Sequence, residues 1–170
     1  MSFRLISLFL VFLSINSALA ADQKDYLSQL DKRYPYEKGK SGGPKFFNVP
    51  VVQKALVTSV PRGWRLAMMD ELVVETPNKL VDGYLVASGC KPHFCPDKYY
   101  AAAVRVTDGA ALFIVFDDKL GQIKDATTQC FSAKFDSVSR LPKAVQRELM
   151  ERNALDSIDD SPLGCAVGRR

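Results

Sequence analysis

From Glu71 to Phe131 the chain offers strand-length segments one after another, with turn signals between them. Glu71 to Thr76 is the first, and Pro77-Asn78 reads as a turn. Leu80 to Ser88 is the second. Lys98 to Val106 is the third, with Tyr99, Ala101 and Ala103 on one side and Tyr100, Ala102 and Val104 on the other. Asp108-Gly109 is a strong hairpin signal. Gly109 to Phe116 follows and is apolar enough for the middle of a sheet. Asp117 to Gly121 turns the chain, and Gln122 to Phe131 is the fifth segment. Strands in unbroken succession predict an antiparallel meander. The expected fold class is α+β, a central antiparallel β-sheet of about five strands with flanking short helices.

The flanks supply those helices. Tyr26, Leu27 and Leu30 share a face within Asp25 to Arg33. Gly39 to Pro44 is a glycine- and lysine-rich loop. Val49 to Ser59 predicts a second helix, with Asn48 as its cap, Pro50 in its first turn, and Val52 and Leu56 towards a core. Pro61-Arg62-Gly63 ends it. After the strands, Leu141, Val145 and Leu149 mark a last helix, with Pro142 in its first turn. That stripe reads as core packing. Asn153 to Arg170 is polar and irregular.

Residues 1–20 are read as a secretory signal peptide. Arg4 is its basic start, Leu5 to Ile15 its apolar stretch, and Ala18-Leu19-Ala20 a small-x-small cleavage site. The apolar stretch is too short to span a bilayer. Ala21 rather than a cysteine follows the site, so no lipid attachment is expected. The pattern is bacterial and directs the chain to the periplasm or the medium. Residues 21–170 are expected to form a single domain, with 21–45 and 154–170 peripheral or mobile. The formal charge of +4 falls to about +3 without the leader. The charge is mildly basic without a dense run, which gives nucleic-acid binding no support. No membrane anchor is expected after cleavage, and the oligomeric state stays open, a homodimer included.

Four cysteines in an exported chain suggest two disulfides, with three possible connectivities. Cys90 and Cys95 are the local pair, which leaves Cys130 and Cys165 either joined or free and buried. Cys90-Lys91-Pro92-His93-Phe94-Cys95 lies between two strand segments and holds the sole histidine. The cysteines end one strand and begin the next, at positions that an antiparallel hairpin brings within bridging distance. Closing so small a ring stabilises by roughly 2 kcal/mol. Pro92 fixes its own φ and restricts Lys91, so His93 projects from a loop with little freedom.

Several chemistries compete for this histidine. A lone loop histidine is most often a solvated side chain. A metal site needs further His or Cys ligands, which are lacking, so no metal or cofactor is expected. Catalysis needs a nucleophile and an orienting acid; Ser88 and Asp97 are candidates, yet they match no triad pattern. C-x4-C is not the C-x-x-C of a redox centre. Presenting a side chain to a partner fits better than catalysis, and no enzyme activity is expected.

The loop, preceded by Gly83-Tyr84-Leu85-Val86-Ala87-Ser88-Gly89, resembles the inhibitor of vertebrate lysozyme (Ivy) family, whose signature is a C-K-P-H-x-C loop. The helix around Val52–Leu56, the Pro61–Trp64 corner and the strands up to Phe116 follow in the order of that family. The resemblance implies a periplasmic inhibitor with a central antiparallel sheet. It implies that the loop Cys90, Lys91, Pro92, His93, Phe94 and Cys95 enters the active-site cleft of a C-type lysozyme. His93 would contact the two catalytic carboxylates, one protonated and one ionised. An imidazole between them can hydrogen-bond to both, and Lys91 adds positive charge near the cleft.

The chain departs from that family in three respects. Phe94 stands where a polar residue, commonly aspartate, is usual. Cys130 and Cys165 are not part of the loop signature. The mature chain is basic, as vertebrate C-type lysozymes are, and like charges slow encounter. Two other readings keep the scaffold. One makes the target the bacterium's own lytic transglycosylases. The other is an envelope binding module without inhibition.

Overall fold

The computed structural model describes residues 26–35, 45–70, 74–90, 93, 95, 98–117 and 127–152. The expected leader, the expected loop Gly39 to Pro44, and Asn153 to Arg170 lie outside the described residues. Five strands form one antiparallel sheet in the order β1 to β5: β1 Val74–Val81, β2 Tyr84–Cys90, β3 Lys98–Arg105, β4 Ala111–Asp117 and β5 Thr127–Phe131. It is flanked by helices α1 Pro50–Ser59, α2 Arg62–Asp70 and α3 Lys143–Glu151. The α+β meander is as the sequence predicts.

Both faces of the sheet are covered. Leu85, Ala87, Tyr100, Ala102, Val104, Phe113 and Val115 share one core with Phe46, Phe47, Val52, Leu56 and Met68. Here Ala87 and Ala102 leave room for the large rings and Met68, so bulk on one layer meets small residues on the other. Tyr84, Val86, Ala101, Ala103, Leu112, Ile114 and Cys130 share a second core with Val138, Leu141, Val145 and Leu149. Two-sided burial explains why β2 is buried at every position instead of alternating.

The first hairpin differs from the sequence reading. Pro77-Asn78 is not a turn. Thr76 pairs with Ser88 and Lys79 with Val86, so β1 carries one residue more than β2 between these pairs, a bulge at Pro77-Asn78. A proline without an N–H is tolerated in a bulge on an edge strand. Asn78 turns the bulge to use: its Nδ2 donates to the Leu30 carbonyl at 3.1 Å, and its backbone pairs with Lys32 and Arg33. The N-terminal segment is thereby tied to the sheet edge, with Leu27 and Leu30 fully buried. The chain reverses instead at Asp82-Gly83, with φ of 45° and 75°. Two left-handed residues match the twist of a two-residue hairpin.

Other boundaries shift for local reasons. α2 occupies residues expected to leave helix at Pro61. α1 begins at Pro50 with Val49 as its cap, and Asn48 closes a 3-10 turn instead. No side chain caps α1; Pro50 has no N–H to satisfy, and Gln53 N donates to Val49 O at 3.0 Å. Pro142 is the cap of α3 rather than part of its first turn. β5 is described from Thr127, and 118–126 lie outside the described residues. At the β3–β4 connection, Asp108 accepts from Arg105 Nε at 2.8 Å and Nη2 at 2.6 Å, and from Ala110 N at 3.1 Å. Those bonds hold Gly109 at φ 70° against Val51.

Candidate functional site

The β2–β3 connection stands at one end of the sheet, opposite the Asp108-Gly109 hairpin. β2 ends at Cys90, whose antiparallel partner in β3 is Tyr99. Cys90 is buried, and Cys95 and His93 are exposed. The two cysteines are joined, with Cα atoms 5.5 Å apart. The bridge does not cross the strand ladder as the sequence reading had it. Tyr99 fills the position opposite Cys90, so the disulfide closes a ring within the connection itself. His93 lies inside that ring with φ of 62°. This left-handed conformation is uncommon for residues other than glycine, although histidine is enriched there. Lys91, Pro92, Phe94 and Asp97 lie outside the described residues. Cys130 is also disulfide-bonded. Its expected partner, Cys165, lies outside the described residues too.

Beneath the loop, on the α3 side of the sheet, sits a polar cluster that the sequence reading missed. Arg152, the C-cap of α3, is its hub. Its Nε donates to Glu148 Oε1 at 2.7 Å, its Nη1 to Ser88 Oγ at 2.9 Å, and its Nη2 to the Pro77 carbonyl at 2.9 Å. Lys79 reaches the other oxygen of Glu148. Ser88 and Thr76 face each other across the β1–β2 ladder and share a hydroxyl hydrogen bond at 2.5 Å. The Tyr99 phenol is placed to interact with Ser88 and Thr76. Helix, edge strand and the strand leading into the loop are thus joined through one guanidinium. The i, i+4 spacing of Glu148 and Arg152 on a predicted helix was the available signal.

This cluster assigns Ser88 a structural part. Its hydroxyl is buried and engaged by Arg152 and Thr76, with no histidine beside it to accept its proton. Burial pushes the Glu148 carboxyl up, but the hydrogen bonds from Lys79 and Arg152 outweigh this and hold it below its usual range. Burial pushes the Tyr99 phenol up, against its bonds to Ser88 and Thr76 and the nearby positive charge of Arg152. Among the described residues no group of three or more His, Cys, Asp or Glu could hold a metal ion. No described helix is long and apolar enough to cross a membrane.

An exposed His93 within a disulfide-closed ring thus stands at one end of a sheet clad on both faces. The family model described as inhibitor of vertebrate lysozyme (Ivy) matches residues 54–154. That is more than half of the chain, and the chain belongs to this family of lysozyme inhibitors. The match runs from within α1, through the loop, to just beyond Arg152. No curated protein and no solved structure matches the chain.

Proposed function

We infer that the mature chain is a periplasmic inhibitor of C-type lysozyme, one that blocks the enzyme's cleft with the Cys90–Cys95 loop. The observation that carries this reading is the exposed His93 at φ 62° within a disulfide-closed ring. Its imidazole would hydrogen-bond the acid and the carboxylate that such enzymes use on the glycan strand. Lys91 would add charge at the mouth of the cleft, and Phe94 would meet an apolar subsite. The leader over residues 1–20 would deliver the chain to the periplasm. There, Cys130 and Cys165 would form the second disulfide.

Turbidity of a peptidoglycan suspension under lysozyme tests the reading. The wild-type protein should slow clearing. His93→Ala should fold normally, because the loop lies outside both cores, and should weaken inhibition about thirtyfold, as truncating an anchor in a filled pocket does. Unchanged inhibition by His93→Ala would refute the loop mechanism. The basic net charge of the mature chain, about +3, supports a second reading, in which the target is an acidic lytic transglycosylase of the same cell. Inhibition of such an enzyme and not of lysozyme would favour that reading.

A further inference from the structure

The outer faces of α1 and α2 carry features that the loop does not use. Val57 is 62% exposed and Leu66 51%, well above what a helix covering a core leaves open at large apolar positions. Together with Met69 they line an open groove of about 370 Å³ between the two helices, with Arg62 and Arg65 at its edge. Lys54 is exposed on the same helix as Val57. From Lys45 to Met69 the sequence contains Lys45, Lys54, Arg62 and Arg65 and not one aspartate or glutamate. Asp108, which shares a neighbouring cleft with Lys54, is already held by Arg105. The chain's acids lie off this stretch, the nearest in sequence being Asp70 at the end of α2, so the stretch is basic where the chain as a whole is only mildly so.

That composition selects the occupant. A second copy of the chain would set arginines against arginines across a two-fold axis. A basic lysozyme would be repelled by the same cations. Exposed aliphatic side chains ringed by lysine and arginine suit a surface that is densely anionic and apolar just below. We propose that the α1–α2 face docks the protein on an anionic phospholipid surface. Val57 and Leu66 enter the headgroup boundary while Lys54, Arg62 and Arg65 meet phosphates. The docking is peripheral and reversible, since two aliphatic side chains and a few cations fall far short of an inserted span. It would hold an inhibitor on the envelope without engaging His93, which lies in the β2–β3 connection rather than on α1 or α2.

Co-sedimentation of the mature protein with vesicles tests this independently of inhibition. It should bind vesicles of phosphatidylglycerol mixed with phosphatidylcholine, bind phosphatidylcholine alone far less, and release as salt rises. Each of Arg62→Gln and Arg65→Gln should weaken binding about fivefold. Leu66→Ser should weaken it as well, and all three variants should inhibit lysozyme as the wild type does. Circular dichroism of each variant guards against misfolding, and the exposed Arg62→Gln keeps the test open if Leu66→Ser fails to fold. Failure to bind anionic vesicles overturns the proposal. So does equal binding to neutral ones, or preference for an acidic amphipathic peptide over the vesicles. Loss of inhibition by His93→Ala with vesicle binding intact would support both functions separately.

Discussion

Arg152→Met is the most informative single change outside the loop. It keeps the aliphatic stem and removes the guanidinium, whose side chain is 9% exposed beside a Glu148 that is 7% exposed. Three hydrogen bonds go with it, to Glu148, Ser88 and the Pro77 carbonyl. Removing one partner of a buried pair costs about 3–5 kcal/mol. Lys79 remains on Glu148 and is half exposed, so the carboxylate keeps a partner and part of its solvation. The expected loss is therefore at the lower end, about 3 kcal/mol, or roughly a hundredfold in the folding equilibrium. Urea denaturation at neutral pH measures it through the midpoint at constant slope. Glu148→Gln combined with Arg152→Met should cost less than the sum of the two single changes, because no unpaired charge is left behind. The acid limb should move too. Glu148 binds its proton more weakly in the folded state than at its usual value of 4.5. Its contribution is complete above that value and is lost as pH falls through the lower folded value. Without Arg152 the folded value rises towards 4.5, so less stability is lost on acidification. A loss under about 1 kcal/mol, the range of exposed ion pairs, would refute the assignment of Arg152 as the hub.

Gly109→Ala should cost about 3 kcal/mol or more, since its Cβ would fall 1.7 Å from Val51 Cγ2 at φ 70°; Gly83→Ala, at φ 75° with nothing within 4 Å, should cost only about 1 kcal/mol, both read from thermal or urea unfolding. Cys90→Ser with Cys95→Ser should lower stability by about 2 kcal/mol and weaken lysozyme inhibition, and inhibition equal to wild type would show that the ring adds no preorganisation. In the wild type, hydrogen bonds from Arg105 hold the Asp108 carboxyl below its usual value of 3.8. Asp108 and Glu148 together should therefore make stability flat above about pH 5 and falling steadily below it, followed by denaturation midpoints across pH.

The sheet was legible because its signals are local. Asp108-Gly109, the alternation in Lys98 to Val106 and the apolar run after Gly109 each act within a few residues. The first hairpin was misplaced because two turn signals compete, Pro77-Asn78 and Asp82-Gly83. Proline breaks pairing only where its N–H is needed, and on an edge strand a bulge absorbs it. α2 was missed because Pro61 and Gly63 flank its start, while its helical face is completed only against the sheet. The loop and its histidine were legible as a motif. The cluster beneath them was not, because Thr76, Ser88, Tyr99 and Arg152 come from four separate stretches that meet only after β1, β2, β3 and α3 have packed.

In the proposed mode a very small loop acts as a key, and the cluster bears on how it would do so. A residue other than glycine at φ 62° carries a local cost of about 1–2 kcal/mol. The conformation persists where its surroundings over-determine it. The disulfide fixes the two ends of the ring, and the ladder pair Cys90 and Tyr99 fixes the base. Tyr99 lies against the Ser88–Thr76 pair, and Ser88 is held by Arg152. Ordering a free loop on binding would cost about 0.5–1.5 kcal/mol for each immobilised side chain. In the proposed mode that cost would fall on folding, where the two cores of the sheet offset it. In the proposed mode a basic inhibitor meets a basic enzyme, so long-range attraction cannot supply the affinity. Short-range contacts from a preorganised ring would have to supply it, so in that mode rigidity rather than charge is the property on which inhibition would depend.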